Sequence, residues 1–207
     1  MMERNETSNT GSWTRAKQVW SMAAREIVNL EAQVDEPAFL RTVELLSNCS
    51  GKVILFGAGT SAMAARKIAH TLSCVERPAL FLSPTDAVHG GLGVVQPGDI
   101  AILVSKGGNT SELVALVPAL RKKTVPIIAV TENGDSVLAN KSSVLLRICV
   151  EQEADKLNML ATTSTLAVIA LFDAICISVM ERTGFSAEQF AVIHPGGAVG
   201  ERLHGDS

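Results

Sequence analysis

Two kinds of residue in this 207-residue chain could do chemistry together: carboxylates and histidines able to move protons, and glycine- and hydroxyl-rich segments able to hold an anion. Glu151 and Glu153 follow the last of five short apolar runs, where a carboxylate either serves a reaction or is simply solvated. Glu112 ends the stretch Asn109-x-x-Glu112, whose spacing favours a helix cap over an acid beside a ligand. His194 stands in Ile193-His194-Pro195-Gly196-Gly197, where the proline restrains its backbone, and His89 stands in Val88-His89-Gly90-Gly91. A loop histidine is commonly a surface residue, yet histidine is also the usual acid or base near neutral pH. His70 and His204 lie in no motif.

The anion-holding candidates are Gly57-Ala58-Gly59-Thr60-Ser61, then Ser105-Lys106-Gly107-Gly108-Asn109-Thr110, then Thr162-Thr163-Ser164-Thr165. Ser and Thr at a loop-to-helix junction can cap the helix or bind a phosphate with the same geometry. For the first two loops we favour ligand binding through Gly59, Thr60, Ser61, Ser105 and Thr110; for Thr162, Thr163, Ser164 and Thr165 the spacing favours neither reading. Gly57-Ala58-Gly59-Thr60-Ser61-Ala62 also fits a permissive dinucleotide fingerprint. That fingerprint wants an acid closing the second strand, whereas Leu82 is followed by Ser83 and Pro84, so a nicotinamide dinucleotide is not expected.

The elements that must position these groups are legible in the hydropathy. Val53–Phe56, Ala79–Leu82, Ile100–Val104, Ile127–Val130 and Val144–Val150 are continuous apolar runs, which read as strands covered on both faces. Helical segments lie between them at Ser61–Cys74, Thr110–Lys123 and Ser136–Asn140, while Pro84 to Gly98 looks irregular. Strands alternating with helices predict a parallel, doubly wound α/β sheet. Two helices are expected before it, near Trp13–Val34 and Pro37–Asn48, and one long helix after it, Thr163–Thr183. In a flavodoxin-like strand order the ligand crevice opens between strands one and three, the two strands followed by the first two loops. A phosphorylated small molecule is the natural occupant.

Composition narrows the class. Hydrophobic residues make up 47% and charged residues 19%, enough to bury a core and too apolar for a disordered chain. Eighteen basic against 21 acidic residues leave a net charge of −3, which offers no field for a nucleic-acid backbone or an anionic membrane. Four single cysteines, Cys49, Cys74, Cys149 and Cys176, form no metal-ligand spacing and read as buried thiols of a reducing compartment. Met1 to Gly11 has no apolar core of a secretory signal, and Leu166 to Met180, broken by Asp173, is shorter than a bilayer crossing. A cytoplasmic protein is expected, with residues 1–12 as a polar tail and 13–207 as one domain.

Taken together, Phe56 to Ser61, Ala87-Val88-His89-Gly90-Gly91-Leu92-Gly93, Ser105 to Glu112, Glu153-Ala154, Ala161 to Thr165 and His194-Pro195-Gly196-Gly197-Ala198-Val199-Gly200 resemble the sugar isomerase (SIS) domain, and within it the arabinose-5-phosphate isomerases. The resemblance runs from about Lys17 to Leu203 in one register. It implies a five-stranded flavodoxin-like parallel sheet, homodimers or homotetramers with sites shared between subunits, no redox cofactor, no metal, and interconversion of an aldose phosphate and a ketose phosphate through a cis-enediol. By position it implies phosphosugar contacts at Gly59, Thr60, Ser61, Ser105, Lys106, Gly107, Gly108, Asn109, Thr110 and Thr162 to Thr165, with Glu153, Glu112, His194 and His89 at catalytic or substrate-contacting positions. Glu153 is the first choice of base and Glu112 the second, while His194, reaching in from a partner chain, would open the ring. The chain departs from the family pattern at Thr60, where a lysine is usual, at Ala62, at Lys106-Gly107-Gly108-Asn109, and at Gly91. Long family members continue into paired CBS domains; with the chain ending at Ser207, that pair is expected to be missing. The substrate expected is arabinose 5-phosphate, with a hexulose 6-phosphate isomerase or a non-catalytic phosphosugar sensor as alternatives.

Overall fold

The computed structural model describes residues 3–196, so Gly197, Ala198, Val199 and Gly200 of the C-terminal glycine element lie outside the described residues. Helices α1 (Glu3–Val28), α2 (Leu30–Gln33) and α3 (Glu36–Ser47) precede the sheet. Its strands are β1 (Val53–Gly57), β2 (Ala79–Phe81), β3 (Ile100–Val104), β4 (Ile127–Thr131) and β5 (Val144–Arg147). All pair in parallel in the order β2-β1-β3-β4-β5, so the chain reverses direction across the sheet at the β1–β3 boundary. The expected fold, a flavodoxin-like five-stranded sheet, is the one observed.

Both faces are covered, which is why the strands are uninterrupted apolar runs. Val53, Leu55, Ile100, Ile102, Ile128 and Leu146 point into a core shared with α3, α4 (Thr60–Ser73) and α9 (Thr163–Thr183). Ile54, Phe56, Ala101, Leu103, Ile127 and Ala129 point the other way, against Leu113 of α6 (Ser111–Val114), Leu116 just before α7 (Val117–Lys122), Leu120 of α7 and Leu138 of α8 (Val137–Lys141). The period-two alternation of a strand thus divides one apolar run between two cores. The β1 register, Val53↔Ile100 to Gly57↔Val104, brings the C-terminal ends of β1 and β3 level, and with them the two loops that follow.

Differences from the sequence reading have local causes. The segment expected as a polar tail is helical from Glu3, since a helix nucleated in 13–28 propagates at one backbone bond per residue. The single helix expected over Thr110–Lys123 is two, because Pro118 in the first turn of α7 has no N–H to continue the ladder from α6. Strand β5 ends at Arg147, three residues early: its partner β4 stops at Thr131, and the Cys149 N–H is taken by the Gln33 side chain at 3.2 Å. The irregular second connection holds α5 (Pro84–Val88) and a 3-10 turn, Gly91–Val94. A last helix, α10 (Ala187–Ile193), was not anticipated; Ser186 and Gln189 form its reciprocal capping box.

Candidate functional site

Helices α4 and α9 lie side by side in parallel. Lys67 pairs with Asp173, and one helical turn further along the Cys176 thiol meets the Thr71 carbonyl at 3.5 Å. Their N-termini therefore open at the same edge of the sheet, beyond the C-terminal ends of β1 and β3, and a cleft lies between them. Ser61 and Ala64 of α4, Ser164, Thr165 and Val168 of α9, and Lys106, Thr131 and Glu132 of the β3 and β4 ends line it over a floor of Val104, Val130 and Ile148. Two helix N-termini give this cleft a positive potential.

At α4, Gly59 turns the chain with φ +55°, a conformation that suits glycine, and no side chain caps the helix. The Thr60 and Ser61 amides are left without a backbone acceptor among the described residues, while Gly59 and Thr60 are exposed. Gly57 is needed for another reason: a Cβ there would lie 2.8 Å from the Ser61 carbonyl oxygen, so its absence lets α4 start tight against β1.

At α9 the same type of site is filled by Glu153. Its side chain is 1% exposed, and both oxygens are fully engaged. The Thr162 and Ser164 amides donate to Oε2 at 2.9 and 3.2 Å, and the Thr162 hydroxyl donates to it at 3.3 Å. The Lys106 ammonium donates to Oε1 at 2.8 Å and the Ser164 hydroxyl donates to the same oxygen. Burial alone would raise this carboxyl; the lysine, the Ser164 hydroxyl and the two amides outweigh it and bring it down to about 2. The Glu153 amide in turn donates to the Asn158 side chain at 2.6 Å, and the Arg15 guanidinium of α1 holds the neighbouring Ala154 carbonyl.

The β3–α6 loop is fixed from within. The Ser105 and Thr110 hydroxyls are 2.7 Å apart, and the Gly108 amide donates to the Ser105 hydroxyl at 3.1 Å. Gly108 has φ +69°, and a Cβ on it would sit 2.1 Å from the Ser136 hydroxyl oxygen. The Lys106 carbonyl accepts from the Thr131 hydroxyl at 2.8 Å and from the Glu132 amide at 3.0 Å, so the lysine leaves the sheet from a fixed point.

The structure thus brings Ser61, Lys106, Ser164 and Thr165 to one cleft, with Gly59 and Thr60 next to Ser61 at the start of α4; Glu153 lies buried behind this lining, bonded to Lys106 and Ser164, and Thr162 is bonded to Glu153. Other expected residues stand elsewhere. Asn109 accepts from the first amide of α8, Val137, at 2.9 Å, beside the Ser136 side chain that caps that helix, and forms no box with Glu112. The helix cap expected at Glu112 is absent: α6 has no side-chain cap, and the exposed Glu112 carboxylate accepts from the Ser111 hydroxyl at 2.8 Å. It is not among the residues lining the cleft. Gly107 is exposed, Thr163 is buried with its hydroxyl unpaired, and His89 is exposed at the end of α5. His194 stacks on Phe190 at 4.0 Å beyond the C-terminal end of α9, and Gln189 of α10 reaches Glu76 after α4 at 2.7 Å. Thr131 and Glu132 are the cleft residues that sequence reasoning missed. The available signal was their position directly after β4, since every parallel strand ends at the same edge.

The SIS domain profile matches residues 45–178 of the chain. Arabinose 5-phosphate isomerase KpsF of Escherichia coli O6:H1 (strain CFT073) is 38% identical over 190 residues, covering 92% of this chain and 58% of its own length. Arabinose 5-phosphate isomerase KdsD of Salmonella typhi is 36% identical over 191 residues, and the chain again spans 58% of that relative. Among solved structures, a candidate sugar-phosphate isomerase of Listeria monocytogenes superposes with a TM-score of 0.89 at 48% identity, covering 90% of this chain and 98% of that one. The protein c3406 of E. coli CFT073, solved in complex with arabinose 5-phosphate, superposes with a TM-score of 0.86 at 31% identity, covering 90% and 99% of the two chains.

Proposed function

The chain belongs to the SIS domain family, and from that premise we propose that it is a cytoplasmic aldose–ketose isomerase of phosphosugars, acting on arabinose 5-phosphate and ribulose 5-phosphate. The observation that carries this reading is the pairing of two parallel helix N-termini over one cleft, one with free amides and the other holding a buried carboxylate. A phosphate fits the first, where the amides and hydroxyls of Thr60 and Ser61 are available. The reacting carbons then lie toward the second. There Glu153 takes the C2 proton of the aldose, the C–H electron pair becomes the C1–C2 double bond, and the carbonyl π pair moves to O1. Returning the proton to C1, while the O2 proton passes to O1, completes the ketose. The phosphate, held away from these carbons, fixes the sugar for the step.

His194 serves this site from a second copy of the chain. Helix α9 is about 31 Å long and α10 about 10 Å, so even a helix folded straight back leaves His194 about 20 Å from its own Glu153. The exposed, edge-to-face pair Trp13 and Trp20 on α1 offers an apolar surface for such an assembly.

One observation favours the sensor alternative: both Glu153 oxygens are already saturated. Assaying ketose formation from a panel of pentose and hexose phosphates separates the readings. Turnover of arabinose 5-phosphate above the other sugars is expected; binding of one sugar with turnover of none would make the protein a sensor.

A further inference from the structure

Of the groups that hold Glu153, one differs from the rest. The amides of Thr162, the N-cap of α9, and of Ser164 in its first turn are held by the backbone and cannot leave without unwinding the helix start, and the hydroxyls of the same two residues donate beside them. Lys106 holds the carboxylate through a flexible four-carbon stem, is 45% exposed where Glu153 is 1% exposed, and lines the cleft a ligand would enter. Its main chain is clamped by Thr131 and Glu132, so only the side chain can move. If it moves, each Glu153 oxygen keeps a donor: Oε1 the Ser164 hydroxyl, Oε2 the two amides. A buried carboxylate that lost its last donors would be strongly destabilised, but this one stays seated without its lysine.

We propose that Lys106 is a latch on Glu153 that a bound phosphosugar opens: its ammonium rests on the carboxylate in the free protein and turns to an anionic oxygen of the sugar when the cleft is filled, freeing Glu153 as a base. This rests on the isomerase reading and adds to it a positioning residue that becomes a substrate contact. The same ammonium then faces O1 as negative charge develops there, and stabilises the enediolate. The latch also reconciles the saturated carboxylate with catalysis, because a carboxylate held near pH 2 is a poor base until its cation departs.

Other charges face the pair. Glu132 from the β4 end lines the cleft, Arg15 of α1 holds the Ala154 carbonyl, and Asp155 is turned into its own loop by the Leu157, Met159 and Leu160 amides. None of these donates to Glu153.

Carboxyl carbon NMR of the wild-type protein, with Glu153 assigned by its loss in Glu153→Gln, tests the latch with and without saturating arabinose 5-phosphate. Between about pH 4 and 8 the free protein shows no titration of Glu153, and the sugar brings a midpoint into that window, a rise of at least about two units. In Lys106→Met the free protein already titrates higher and the sugar adds little. An unmoved Glu153 with sugar bound overturns the latch, as does an equal rise in both proteins, which assigns the effect to the phosphate charge. Lys106→Met also lowers kcat about a hundredfold and moves the acid limb of kcat/KM upward; an unchanged limb with kcat within about twofold of wild type overturns the proposal. Failure of arabinose 5-phosphate and every other phosphosugar to bind would instead sink the isomerase reading itself.

Discussion

Glu153 joins two tasks that usually fall to different residues: it caps α9 from outside the helix, and it is buried directly behind Lys106 and Ser164, which line the cleft. Its ionised form is favoured in the folded state, so its contribution to stability is fully present above the unfolded carboxyl value of 4.5 and is lost as pH falls from there toward about 2. The size of that contribution is about 3 kcal/mol at neutral pH. Thermal unfolding of wild type and Glu153→Gln should accordingly differ most near pH 7 and converge as pH approaches about 2. Chemically, Glu153→Gln abolishes isomerisation while phosphosugar affinity stays within a few-fold, because the phosphate end is held by other groups. Loss of binding would make Glu153 a purely structural residue. The carboxylate's place after β5 was legible in the sequence; its five donors were not, since they converge from the β3 end and from residues nine and eleven positions later.

At the scale of elements, the site depends on loops that start tight against strands. Gly108 shows this most sharply: buried, at φ +69°, with Ser136 where a side chain would go. Gly108→Ala should destabilise the protein by roughly 2–3 kcal/mol through strain and overlap, and should lower activity through the shifted Lys106. A denaturant midpoint equal to wild type would show that the loop adapts. Strand positions, the parallel order and the span of α9 followed from apolar runs and glycine punctuation, because burial on both faces writes itself into composition. The parts that did not follow depend on long-range contacts. Asn109 was read with Glu112 three residues away, whereas its partner is the Val137 amide 28 residues on. Thr131 and Glu132 carry no motif of their own, and only the sheet order places them in the cleft.

For the whole molecule, the length of α9 sets the design. It carries the chain from the cleft to the far end of the subunit, where α10 docks beside the end of α4 and His194 stacks on Phe190. A site that needs both Glu153 and His194 needs two subunits. Mixing inactive Glu153→Gln and His194→Ala proteins under conditions of subunit exchange should then restore about a quarter of wild-type activity in a dimer, since half the dimers carry one intact site of two. No recovery would place the histidine outside the shared site. Proton transfer at the sugar's reacting carbons is read out by incubating the protein with arabinose 5-phosphate in deuterated water and following C2 by NMR. The C2 proton signal should be lost with wild type and kept with Glu153→Gln; its retention with wild type, the sugar demonstrably bound, would refute isomerisation through Glu153.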